Sequence, residues 1–228
     1  MKPLGLAAVC IAIYLSSVGV AWSADEPAAA PAAGTSFSVS GERLELGIPA
    51  GWKLAWMEGG AEGGFIVEYI PQAEDIQSWR EGYLAVQRMP YPSASLMAEL
   101  KKANVKIADV ALHQFMKKVE QTCGGRHQAM TQASNDYNGA HFAVSGGYCD
   151  QYGIAAPFGE GSVVAFVEGK EYWFRIQFGW RPNSESEQQT NLPWRVSPQI
   201  VKDYVDTIRT ASLCGGSGQA ACKTGYAK

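Results

Sequence analysis

The sequence has no marked excess of either charge, few histidines and none of the short motifs that announce the common catalytic folds. Against 22 Asp and Glu stand 19 Lys and Arg, with three histidines and a formal net charge of −3. No basic stripe is present, so the electrostatic footprint of a nucleic-acid binder is missing. Neither G-x-x-x-x-G-K-[ST] nor H-E-x-x-H occurs, which removes the phosphate cradle of P-loop proteins and the helical zinc pair of zincin proteases. Lys223-Thr224-Gly225 matches one triplet of the penicillin-binding serine enzymes, but no S-x-x-K supplies their nucleophile. There is no internal repeat, and no pattern that calls for a cofactor.

Long apolar runs are equally scarce. One stretch, from Leu4 to Val20, follows Lys2 and leads to Ala21-Trp22-Ser23, the pattern of a secretory signal peptide cut near Ser23 or Ala24. Ser16, Ser17 and Gly19 weaken it as a retained anchor, and Val9 before Cys10 argues against lipid modification. Residues 1–24 are therefore expected to be removed on export to the periplasm or outside the cell, leaving no transmembrane segment in the mature chain. Losing Lys2 takes the formal charge from −3 to −4. Residues 25–35, alanines and prolines without large apolar groups, read as a tether. A single domain is expected over 36–213, with a tail over 214–228.

What the chain does have is a pronounced period-two aromatic segment. Tyr172, Phe174, Ile176, Phe178 and Trp180 recur at every second residue, with Arg175 and Gln177 between them, which predicts a strand with one buried face. Together with Ser162 to Val167, across a three-residue connection containing Gly169, it predicts a hairpin. Burying a large apolar side chain is favourable by roughly 1.5–3 kcal/mol, so this face must lie against a second layer. Leu44 to Ile48, Leu54 to Trp56, Phe65 to Ile70 and Trp79 to Met89 read as further strands, with Phe37 to Ser40 opening the series. Glu58 to Gly64 is a glycine-rich loop.

From Ser95 to Gln121 the period becomes helical. Leu96, Leu100, Ala103 and Ile107 form one stripe and Ala108, Leu112, Phe115 and Val119 another, their centres roughly 120° apart at the helical repeat, so two helices broken near Asn104 to Asp109 are predicted. Asn138-Gly139 signals a hairpin turn between Arg126–Ala133 and Ala140–Tyr148, placing Tyr137 opposite Ala140 and Cys149 opposite Gln128. Pro182 to Val196 is a long polar segment. Ser197 and Pro198 open a last helix with Val201, Val205, Ile208 and Ser212 inward.

Ile48-Pro49-Ala50-Gly51-Trp52-Lys53, a strand pair, and Glu68-Tyr69-Ile70-Pro71-Gln72 leading into Ile76-Gln77-Ser78-Trp79 resemble a group of exported bacterial proteins of unassigned function. Their order of elements is similar to the PsbP-type fold. That resemblance covers most of 37–213 in pattern and about thirty residues in motif. It implies an α+β fold, an antiparallel β-sheet layered with helices in an α/β/α sandwich. The roles of PsbP relatives are too varied to imply one here, and none of their functional residues maps onto this chain.

Outside the leader are four cysteines, and an even number in an exported chain reads as disulfides. The expected pairs are Cys123–Cys149 and Cys214–Cys222, the latter closing a glycine-rich loop. Cys123, His127, His141 and Cys149 are zinc-ligand types, yet the hairpin register separates the two imidazoles by roughly 30 Å. No metal or other cofactor is expected. Ala143-Val144-Ser145-Gly146-Gly147 loosely resembles a nucleophile elbow but sits in a hairpin arm.

The outward row of the aromatic strand, Trp173, Arg175 and Gln177, with Trp180, Arg181 and Trp194 beyond it, carries the residue types favoured at binding surfaces. The competing reading is that a second helical layer covers this row. The sequence thus points to an exported binding or accessory protein with a protein or envelope partner. A small periplasmic hydrolase using Ser145 or unpaired carboxylates, and a structural subunit of an envelope or secretion complex, remain as alternatives.

Overall fold

The computed structural model describes residues 40–60 and 63–223. The predicted leader, the tether and all but the last residue of the Phe37 to Ser40 strand lie outside them, as does the end of the Lys223-Thr224-Gly225 triplet. Among the described residues, eight strands form one antiparallel sheet in the order β2 (Trp52–Gly59), β3 (Phe65–Pro71), β4 (Tyr83–Pro90), β9 (Tyr172–Trp180), β8 (Glu160–Glu168), β7 (Ala140–Cys149) and β5 (His127–Ala129), with β6 (Ala133–Tyr137) also pairing β7. A separate ribbon joins β1 (Arg43–Glu45) to β10 (Ser212–Cys214).

The alternation read in β9 sorts the sheet's two faces. Phe174, Ile176 and Phe178 are fully buried, and with Phe65, Val67, Leu84, Val86, Val163 and Ala165 they form one core against Tyr204 and Ile208 of α4 (Pro198–Arg209), the helix that follows the single turn α3 (Glu185–Gln188). Tyr204 stacks on Phe178 with ring centroids 4.4 Å apart. Residues between them point the other way. There Phe166 meets Phe115 of α2 (Ile107–Thr122) edge-on at 6.0 Å and stacks on Trp173 at 5.8 Å. The sheet therefore has helix on both faces, the expected α/β/α layering.

Local signals set the helix ends. Ser197 accepts the Ile200 N–H at 3.3 Å, with Pro198 at the first helical position. α1 (Ala94–Lys102) is capped by Ser93 and stops before Asn104, whose φ of 55° asparagine tolerates better than most residues. The next helix begins at Ile107, as the two offset stripes require. Lys106 gives it no side-chain cap; instead Glu168, sixty residues away on β8, accepts the Ala108 N–H at 3.0 Å. A carboxylate there also suits the positive end of the helix.

Four sequence expectations change in detail. The strand expected from Trp79 begins at Tyr83, because Trp79 instead leaves the sheet and stacks on Tyr83 at 5.0 Å. The strand expected over Leu44 to Ile48 shortens to Arg43–Glu45, since its hydrogen-bonding partner is the equally short segment 212–214. Ser212 accordingly belongs to β10 and not to the last helix. The turn register holds at Tyr137 opposite Ala140, but Cys149 pairs with His127 and not Gln128. Between these pairs residues 130–132 face only 145–146, a bulge that shifts the register by one.

Two polar devices fasten the hairpin of β8 and β9. Glu42, fully buried, accepts backbone N–H bonds from Lys170 at 2.9 Å, Glu171 at 2.9 Å and Tyr172 at 3.1 Å, and a side-chain N–H from Gln219. Arg88, also fully buried, donates to the carbonyls of Ser40, Glu42 and Gly63, with its guanidinium 4.2 Å from the ring centre of Tyr172 and 4.8 Å from that of Phe65. Gly161 makes room for the core's largest ring: a Cβ there would lie 2.1 Å from the Trp180 indole. The disulfides are Cys123–Cys149 and Cys214–Cys222, with Cα separations of 5.6 and 5.0 Å.

Candidate functional site

At the end of the sheet where β2 starts and β9 finishes, a cleft of about 600 Å³ opens between the Pro49–Gly51 turn, the segment after β9 and α4. One wall is apolar, made of Pro49, Trp52, Pro71, Val196, Ile200 and Tyr204. Trp52 is held edge-on to both Tyr204, at 6.5 Å, and Phe178, at 6.3 Å. Its ring lies so close to Gly82 that a Cβ there would sit 2.5 Å from it. The Tyr204 hydroxyl donates to the Glu81 carbonyl at 3.3 Å, tying the helix to the loop before β4.

The cleft's charges are balanced, with Arg80, Arg181 and Arg195 against Glu81, Glu187 and Asp203. Arg181 is committed elsewhere: 9% exposed, it donates from Nε to Glu160 at 2.8 Å and lies 3.8 Å over the Trp79 ring. Arg195 adopts φ of 60°, donates to the Pro193 carbonyl at 3.1 Å and stands 3.7 Å from Asp150. Balanced charge and an apolar wall suit a mixed polypeptide surface better than a highly charged small ligand.

The residues named from sequence separate into three places. Trp180 and Arg181 line the cleft, whereas Trp194 packs against the core, its carbonyl accepting the Trp180 indole N–H at 2.7 Å. Trp173 is 5% exposed, stacked on the Phe166 ring that α2 covers, and its indole N–H donates to the Pro90 carbonyl at 2.9 Å. The covering layer weighed against an open row is therefore present at Trp173. Arg175 and Gln177, further along the same row, stay partly open. Trp52, Ile200 and Tyr204 were not singled out. Trp52 falls within the Ile48–Lys53 motif, but no periodicity connects it to a helix 150 residues later.

Around Arg175 the sheet carries a polar group of its own. Tyr83 donates its hydroxyl to Glu68. Burial holds the Glu68 carboxyl above its ordinary range, with the Tyr83 bond and the charge of Arg175 pulling it back. A carboxyl whose folded-state pKa is raised contributes stability that is fully present below the ordinary carboxylate range and is lost as pH rises through its own pKa. Glu160 is shifted in the same direction by burial, against the pull of Arg181. Denaturant midpoints are thus expected to fall between mildly acidic and neutral pH, and Glu68→Gln, which still accepts from Tyr83, is expected to reduce that fall. An unchanged pH profile in the variant would contradict it.

The zinc-type quartet is not brought together. Cys123 and Cys149 form a disulfide, and His127 pairs opposite Cys149, eight positions and about 26 Å along β7 from His141. His141 contacts Asp136 at 2.8 Å and Asp109 at 3.2 Å. No cluster able to hold a metal occurs among the described residues. Ser145 is 5% exposed within β7 and donates its hydroxyl to the Met130 carbonyl at 3.1 Å. It presents no nucleophile at a sharp turn.

No protein-family model matches the chain, and no curated protein matches it either. Among the solved structures that are similar, three match over most of its length. PsbP (CyanoP) from Synechocystis is 13% identical, covering 76% of this chain and 93% of its own, with a TM-score of 0.44. The Saccharomyces cerevisiae Ran-binding protein Mog1p is 11% identical over 74% and 88%, at 0.46. LpqN of Mycobacterium tuberculosis, described as involved in cell envelope biogenesis, is 10% identical over 76% and 84%, at 0.38. The likeness is weak, PsbP-like and one of fold. The antiparallel sheet between helices rests on the chain's own geometry, and nothing about partners follows from these scores.

Proposed function

We propose that this chain is an exported binding or accessory protein that receives a segment of a protein partner in the cleft beside α4. The cleft itself carries the reading: it is concave, walled by rings held in fixed orientations, and charge-balanced at its rim. Pre-set rings cost little ordering on binding, which favours them as contact residues. Export is supported by the leader-like N-terminus and by two disulfides, which persist in oxidising compartments. No helix among the described residues is long and apolar enough to cross a membrane.

Of the alternatives, a serine hydrolase loses its motivating residue, since Ser145 is buried within a strand. The test is photo-crosslinking in the native host. A crosslinking side chain at Ala50 or Asn183, both on the cleft rim and exposed, is expected to yield a discrete adduct. The same group at exposed Glu120 on α2 is not. Adducts from Glu120 alone, or ester or peptide hydrolysis abolished by Ser145→Ala, would overturn the reading.

A further inference from the structure

The opposite face of the sheet holds a guanidinium without a hydrogen-bond partner. Arg175 lies at the centre of β9, its charge 5.6 Å over the ring of Phe115. Its Nε is shut off from solvent with no hydrogen bond, and its terminal nitrogens form no hydrogen bond or ion pair with any described residue. Of the other buried arginines, Arg88 has three carbonyls and Arg181 has Glu160, while Arg195, whose Nε likewise lacks a hydrogen bond, donates through a terminal nitrogen to the Pro193 carbonyl and stands near Asp150. A largely buried charge with no hydrogen-bonded counter-group is destabilising, and burial draws this guanidinium below its ordinary pKa range against the opposing pull of Tyr83 and Glu68.

The surroundings resemble a binding site more than a packing defect. Gln87 is the cross-strand partner of Arg175, and Gln177 lies two positions along on the same face, both half-exposed. Two primary amides thus flank a planar fork of donors. Such a fork matches the two oxygens of a carboxylate, with amide donors beside it. Glu68, in the neighbouring cross-strand row with Ala85 and Gln177, adds an acidic group that disfavours a doubly charged phosphate.

We propose that Arg175, flanked by Gln87 and Gln177, anchors the carboxylate of a small organic acid on the α2 face of the sheet. This site is on the other side of the sheet from the α4 cleft and stands or falls independently of it.

Acetate is the probe. The Nε–H signal of Arg175, assigned by its loss in Arg175→Met, is expected to shift saturably with acetate in the full chain and not with chloride at equal ionic strength. Arg175→Lys keeps the charge but loses the fork, and is expected to weaken the acetate response several-fold. Without ligand, Arg175→Met is expected to melt above the wild type, because it no longer buries a charge that lacks a hydrogen-bond partner. An Arg175 signal indifferent to acetate, or moved by inorganic phosphate and not acetate, overturns the site. A Met variant melting well below the wild type would make Arg175 a packing residue and overturn the claim that it awaits a ligand.

Discussion

Replacing Trp173 by alanine is expected to lower the stability of the chain by about 3–5 kcal/mol, the usual range for removing a buried ring. Trp173 is stacked on Phe166, which in turn meets Phe115 of α2, so the cavity would open beneath the helix that covers this face. The Pro90 carbonyl would also lose the indole N–H that satisfies it. Trp173→Phe retains a ring but not the donor, and about 1–2 kcal/mol is expected there. Chemical denaturation of both variants checks the order. A Trp173→Ala protein as stable as the wild type would mean that α2 does not cover this row, and that the row is free for contact.

The second large effect is expected at Glu160 and Arg181. The pair is joined at 2.8 Å, with side-chain exposures of 16% and 7%, and Trp79 closes over the guanidinium. Removing one partner leaves the other buried and uncompensated, which typically costs about 3–5 kcal/mol. Glu160→Leu and Arg181→Met are each expected to fall in that range. The double variant is expected to recover most of the loss, because apolar replacement of both partners removes the desolvation penalty along with the attraction. Additive losses in the double variant would show that the pair matters through separate contacts and not through its charge coupling.

How far the sequence revealed this architecture depends on the range of each interaction. The hairpin of β8 and β9, the break between α1 and α2, and the start of α4 at Ser197 all declare themselves within a few residues, through periodicity or a cap. The disulfides followed from an even cysteine count together with the hairpin and the glycine-rich loop. Other features have no local signature. Glu42 grips a hairpin 128 to 130 residues away, Glu168 caps a helix sixty residues earlier, and β1 finds its partner in the last described strand. The bulge at residues 130–132 was invisible because a turn signal sets register only until an extra residue intervenes.

The cleft was legible only in part for the same reason. Trp180 and Arg181 stood out by type, but the wall opposite them comes from the Pro49–Trp52 turn and from α4. Residue type alone also misplaced emphasis within one strand. Trp173 and Arg175 occupy equivalent outward positions, and α2 reaches both, through Phe166 to the first and by Phe115 directly over the second, yet the first is sealed and the second partly open. How tightly a covering element seals each position is set by its packing and not by the strand beneath it.

Hydrogen–deuterium exchange on the chain alone and on the chain recovered with its crosslinked partner tests the central claim most directly. The account predicts new protection at the Pro49–Trp52 turn and across Val196–Asp203, with exchange on the outer surface of α2 unchanged. Protection confined to α2 or to β6, with the cleft walls exchanging as they do in the free chain, would contradict it.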